Sequence, residues 1–81
     1  MEYVARTPDQ LGQVLKSCRQ QRELTQSAVG SKVGIPQSRI SQIELHGAPA
    51  TVETLFKVLS ALGLVLVLRD KTIPASGKRE W

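Results

Sequence analysis

One stretch constrains this 81-residue chain more than any other: Thr25-Gln26-Ser27-Ala28-Val29-Gly30-Ser31-Lys32-Val33-Gly34-Ile35-Pro36-Gln37-Ser38-Arg39-Ile40-Ser41-Gln42-Ile43-Glu44. It packs two helix starts and a helix stop into a short span. Thr25 is a good N-cap, whose hydroxyl can accept from the amide of Ser27 or Ala28. Val29 and Val33 recur at i and i+4, as on one buried helix face. Gly34 offers a left-handed residue that stops this helix. Ile35-Pro36 then turns the chain into a further short helix, with Pro36 at or near its start and Ile40 and Ile43 as its buried stripe. Two short helices joined by a tight glycine-containing turn have the helix-turn-helix layout.

The flanks extend this to an all-helical domain. Thr7-Pro8-Asp9-Gln10 reads as an N-cap, a proline at the first helical position, an acid in the first turn and the glutamine of a capping box. Leu11, Val14, Leu15 and Cys18 give the following helix one apolar face. Gln13, Lys16, Arg19, Gln20 and Arg22 are expected on the opposite face, and the helix should end near Glu23. Residues 45–50 read as a loop, punctuated by Gly47 and Pro49. Thr51 caps another helix with Val52, Leu55, Phe56, Leu59 and Leu62 as its apolar face, and Gly63 ends it.

The helix that follows Pro36 is polar on its outer side: Gln37, Ser38, Arg39, Ser41 and Gln42 face outward, without a carboxylate among them. Glutamine can bond adenine in two places and arginine can do the same to guanine. An ordinary solvated face is the alternative reading. Charge favours the first. The chain carries a net charge of +4. Between Gln10 and Ile43 the bases are Lys16, Arg19, Arg22, Lys32 and Arg39, against Glu23 alone, and a basic first half suits a phosphate backbone. In a helix-turn-helix the second helix enters the major groove and the first crosses the backbone. Thr25, Gln26 and Ser27, at the start of the first, can then reach phosphates with side chains and helix N-terminal amides.

Leu64, Val65, Leu66, Val67 and Leu68 form a continuous apolar run that reads as a buried strand. A strand needs a partner for its backbone groups. The same strand of a second subunit would serve, by antiparallel pairing about a two-fold axis; pairing with Tyr3-Val4-Ala5-Arg6 is the alternative. The domain is thus expected over residues 1–70, with the dimerisation strand at 64–69. Residues 71–81 are polar, contain Pro74 and Gly77, and read as a flexible tail ending in Trp81. An aromatic on such a tail is a candidate anchor for a partner's pocket.

The Thr25 to Glu44 stretch resembles the Xre/Cro/C1 helix-turn-helix family, in its Thr-Gln start, its Gly-Ile turn and its Ile40-Ser41-Gln42-Ile43-Glu44 end. The resemblance implies a lambda-repressor-like domain of four to five helices. It implies that Gln26 clamps a phosphate, that Gln37, Ser38 and Gln42 face bases, and that Arg39 and Ser41 lie at bases or backbone. It also implies a structural ion pair between Arg19 and Glu44. Two positions depart from the pattern. Gly30 stands where alanine is usual, which should loosen its helix by up to about 1 kcal/mol. Pro36 stands where a Ser or Thr cap is common. The opening Thr7-Pro8-Asp9-Gln10-Leu11, the run after Gly63 and the terminal Glu80-Trp81 are similar to the HipB-like antitoxins. That similarity implies a homodimer, palindromic operator DNA and a HipA-like serine/threonine kinase toxin as partners, with Trp81 functional. A stand-alone transcription regulator and a protein-interaction module that does not bind DNA are the rival readings.

Other functions are disfavoured by what the sequence lacks. Cys18 is the one cysteine and His46 the one histidine. Disulfides and a structural zinc site are therefore not expected, and Cys18 reads as a core filler. No cofactor is implied. Catalysis is not expected, for want of a carboxylate pair, a phosphate loop or a supported cysteine–histidine arrangement; His46 reads as a solvated loop residue or a phosphate contact. No apolar run approaches the roughly 20 residues that span a bilayer. Met1 to Arg6 has no signal-peptide pattern, so a cytoplasmic location is expected.

Overall fold

The computed structural model describes residues 2–47 and 50–71. Four helices follow one another: α1 (Pro8–Gln21), α2 (Gln26–Val33), α3 (Gln37–His46) and α4 (Val52–Ala61). Three of them are N-capped by a threonine. Thr7 Oγ1 accepts from Gln10 N at 3.1 Å, and Pro8 sits at the first helical position. Gln10 reaches back as predicted, but its carboxamide oxygen accepts from Arg6 N, one residue before the cap. Thr25 and Thr51 cap α2 and α4 in the same way, accepting from Ala28 N and Thr54 N. Each such cap contributes about 1 kcal/mol.

The ends are as local as the beginnings. Gly34, at φ 73°, closes α2 in the left-handed conformation. α1 stops at Gln21, with Arg22 as its C-cap, close to the expected end near Glu23, which itself takes the left-handed conformation, at φ 56°. Leu24 N then donates to Arg19 O and Glu23 N to Gln20 O, which satisfies two carbonyls that the helix end would leave open. α4 ends identically, with Gly63 N donating to Ser60 O and Leu64 N to Leu59 O. The loop expected from residue 45 begins later: Leu45 and His46 complete the last turn of α3, and the stop is Gly47 at φ 65°.

The helices meet around one core of Leu15 and Cys18 from α1, Val29 from α2, Ile40 and Ile43 from α3, Val58 and Leu59 from α4, and Leu62 after it. α3 is central, packing on α1 and α2, while α2 also packs on α4. Cys18 is fully buried, as a small apolar filler. The apolar face predicted for α4 is only partly right. Val58 is buried, whereas Val52 and Phe56 are exposed, because α4 meets the rest through Leu55, Val58, Leu59 and Leu62.

Two glycines set how closely elements approach. A Cβ on Gly12 would lie 2.5 Å from Glu44 O and 2.7 Å from Ile43 O, so α1 and α3 touch backbone to backbone there. Gly30 corrects the expectation of a loosened helix. It is buried, and a Cβ there would overlap the Ile35 carbonyl, whose residue donates its own N–H to Gly30 O at 2.9 Å. The helix propensity lost at Gly30 is exchanged for a tight turn between α2 and α3.

Residues 64–71 carry no strand in this single chain. Leu64 packs against the core, but Val65 and Leu68 are 83% and 89% exposed, and Leu66 and Val67 are exposed too. The buried strand expected there is thus an exposed apolar run, because one chain offers its backbone no partner. The segment Tyr3-Val4-Ala5-Arg6 forms no ladder with it. Tyr3 packs on the core and its hydroxyl donates to Gln21 Oε1 at 3.0 Å, while Glu2 pairs with Arg69. The pairing with Arg69 holds the Glu2 carboxyl below its usual range, through a hydrogen bond and charge attraction. Trp81 and the rest of the predicted tail from residue 72 lie outside the described residues.

Replacing Gly30 with alanine should destabilise the domain by about 1–3 kcal/mol, the overpacking range, although alanine is the better helix former. Urea denaturation followed by circular dichroism checks this; a stabilised variant would show that propensity outweighs the contact.

Candidate nucleic-acid interface

The polar residues of α3 stand at an open end of the domain. Gln37, Ser38, Arg39 and Gln42 are exposed, and Ser41 is half-buried. Pro36 gives α3 an extended entry (φ −60°, ψ 148°) and no side-chain cap. The first-turn amides of Gln37 and Ser38 are therefore left facing out, at the positive end of the helix dipole. Ser38, Arg39 and Gln42 line an open cleft with Ile35, Pro36 and Thr54 of α4. Thr54 was not legible as a neighbour, because nothing in its local sequence distinguishes it from a solvated helix position.

At the start of α2, Thr25 uses its hydroxyl on Ala28 N, and Ser27 is exposed. Arg39 and Lys32 are exposed, and among the described residues neither takes part in an ion pair. The face therefore offers amides, hydroxyls and unneutralised cations, which is donor-rich chemistry for phosphate and base edges.

Behind this face lies a continuous polar chain. Arg19 grips Glu44 with two nitrogens, Nε to Oε2 at 2.6 Å and Nη2 to Oε1 at 3.1 Å. Its third nitrogen, Nη1, donates to Leu24 O at 2.8 Å. The two side chains are only 12% and 5% exposed. Arg19 is thus tucked between α1, α3 and the α1–α2 turn instead of lying on the outer face of α1, where its register alone would put it. Glu44 Oε1 also accepts from Gln26 Nε2 at 3.0 Å, and Gln26 Oε1 accepts from Gln37 Nε2. Gln26 is engaged at both ends, and among the described residues the second N–H of its amide has no partner.

The two hydrogen bonds of Gln26 were missed by reading the sequence. A signal for part of them was there. Glu44 follows Ile40 and Ile43 at i+4 and i+1, inside the buried register of α3, and a carboxylate in that register needs donors. No buried side-chain nitrogen or oxygen among the described residues lacks a partner.

The family described as "Helix-turn-helix" matches residues 15–66 of the chain. The antitoxin HipB of Escherichia coli strain K12 is 41% identical over 64 residues, which cover 79% of this chain and 73% of that protein. This chain belongs to the HipB family of helix-turn-helix antitoxins. Solved structures of the family superpose closely on it. One, described as a HipB-O4 20mer complex, has a TM-score of 0.82 at 37% identity, covering 88% of this chain and all (100%) of the HipB chain. A second, described as a HipA-HipB-O2-O3 complex, gives the same TM-score of 0.82, at 37% identity and 88% coverage. The HipB fold is therefore shared over 88% of this chain.

Cutting the buried ion pair should be severe for a domain of this size. Arg19→Ala leaves Glu44 buried without its guanidinium, for an expected loss of about 3–5 kcal/mol. Thermal melting would detect it as a large fall in midpoint; a shift of only a degree or two would mean that the pair is dispensable.

Proposed function

We propose that this protein is a sequence-specific DNA-binding repressor and the antitoxin of a HipA-like serine/threonine kinase, autoregulating its operon as a homodimer on palindromic operators. The observation that carries the reading is the outer face of α3. Gln37, Ser38, Arg39 and Gln42 are exposed together on a helix whose first turn is uncapped, while its inner face is fixed by Ile40, Ile43 and Glu44. In this reading α3 lies in the major groove, Gln37, Ser38 and Gln42 face bases, and Arg39 and Ser41 meet bases or backbone. Thr25, Gln26 and Ser27 sit along the phosphates. The partners follow from the family: the solved HipB complexes hold a 20mer in one case and HipA with O2-O3 in the other.

The dimer is supported by the exposed apolar residues Val65, Leu66, Val67 and Leu68, which a second copy of the strand at residues 64–69 would cover. The same reading divides the chain into a DNA-binding and dimerisation unit over residues 1–70 and a tail over residues 71–81. Trp81 is assigned to the kinase contact, as an aromatic anchor. The protein acts in the cytoplasm and has no catalytic role in this scheme.

Footprinting of the purified protein on the DNA upstream of its own gene tests the repressor. It should protect a palindrome with half-sites about one helical turn apart; no protected palindrome at moderate salt would sink the reading. Gln37→Ala should weaken binding by about 1–3 kcal/mol and relax the preference at one base pair of each half-site. For the dimer, Val67→Asp should sediment as a monomer where the parent sediments as a dimer. A dimeric Val67→Asp would refute the shared strand.

A further inference from the structure

We infer that the N-terminal arm, residues 2–6, is part of the dimerisation unit: it straps the far end of the run at residues 64–69 to α1, with Glu2 as the positioning residue that holds Arg69. The inference rests on the dimer proposed above.

The run is fixed where it starts. Leu64 N donates to Leu59 O, and Leu64 packs against the core. Beyond it Val65, Leu66, Val67 and Leu68 are exposed. Among the described residues, the one hydrogen bond made by residues 65–71 is that of Arg69 with Glu2. A segment anchored at one end samples many directions, and that freedom is lost when a second copy docks on it. A second anchor, at Arg69, places both ends of the segment before the copies meet.

An anchor serves only if it is itself fixed, and the arm is. It is not helical, yet its contacts pin it in order along α1. Arg6 N donates to Gln10 Oε1 at 2.7 Å. The Tyr3 hydroxyl donates to Gln21 Oε1 at 3.0 Å, and Tyr3 packs against the core. Gln10 and Gln21 lie about 16 Å apart along the helix, so the arm runs back from the start of α1 towards its end. Val4 lies between these contacts, lining an open groove with Gln13, Val14 and Ser17. Glu2 follows beyond Tyr3, where its carboxylate meets Arg69, 67 positions away in sequence. Glu2 is the one acid of the arm, and Arg69 the one charged residue of the run, so charge selects this pairing. An exposed ion pair is weak on its own. Here it counts once in each copy, so its effect on the dimerisation constant is squared.

Sedimentation of the full chain at low ionic strength tests the strap. It gives the dimer dissociation constants of the parent, Glu2→Arg, Arg69→Glu and the two substitutions combined. Both side chains are exposed, so helical content and melting should match the parent in all three variants. Glu2→Arg should raise the dissociation constant by about threefold or more, and the loss should shrink as salt is added. The combined exchange restores the pair with its signs reversed and should return the constant to within about twofold of the parent. A Glu2→Arg variant that dimerises as well as the parent overturns the strap. A weakened Glu2→Arg that the exchange does not rescue overturns it too, because Glu2 is then acting on something other than Arg69. A parent chain that stays monomeric at every concentration overturns the dimer proposal itself, so the two failures are told apart.

Discussion

The buried pairing of Arg19 with Glu44 is the constraint on which the rest of the structure depends. It lies where three elements converge: α1 supplies the guanidinium, α3 the carboxylate, and the α1–α2 turn a carbonyl, Leu24 O, for the third guanidinium nitrogen. Buried charges are tolerated only when their hydrogen-bonding capacity is met. Meeting it here requires α1 and α3 to cross at one place and in one register, and Gly12 lets their backbones come close enough. Apolar contacts between Leu15, Cys18, Ile40 and Ile43 would tolerate some sliding, since dispersion and burial are not directional. The ion pair does not. It converts a loosely specified helix pair into a fixed angle, and so fixes where the outer face of α3 points.

The remaining architecture is a set of local decisions made independently of that pair. Threonines at three helix starts and left-handed residues at four helix ends delimit the elements without reference to tertiary contacts. One of those left-handed residues is Glu23, where a glycine would be easier. A non-glycine side chain in that conformation is disfavoured by roughly 1–2 kcal/mol. It is tolerated because the helix-end hydrogen bonds of Leu24 and Glu23 depend on it, and because Leu24 is packed against the core.

How much of this was legible follows from the range of each interaction. The caps, the stops at Gly34 and Gly63 and the buried stripe of Ile40 and Ile43 are encoded within a few residues, and reading them gave the helices almost in full. The boundary of α3 was misread because Leu45 and His46 carry no helical signal of their own and only Gly47 marks the end. Phe56 was misplaced because periodicity finds an apolar face without saying which part of it other helices reach. Gly30 was misjudged for a related reason: propensity describes a residue in its own helix, whereas Gly30 answers to Ile35 across a turn. The candidate interface was visible as a list of polar residues on α3 and at the start of α2. Their connection through Gln26 to Glu44 was not, since it joins residues far apart in sequence. Thr54 entered the same surface without any sequence mark.

The exposed run Val65, Leu66, Val67 and Leu68 has a kinetic meaning. The four helices close their core without it, and Leu64 is the last residue packed against that core. Assembly of the helices is consequently a unimolecular event, whose rate is indifferent to how many copies are present. Covering the run by any other chain is bimolecular, and its rate rises with concentration. If a second copy is what covers the run, as proposed above, the chain passes early in expression, when copies are few, through a period in which its helices are complete and an extended apolar segment is bare. That interval would shorten as copies accumulate. The abundance of the protein would then govern how long each new molecule presents itself to proteases and chaperones, independently of how stable its helical core is.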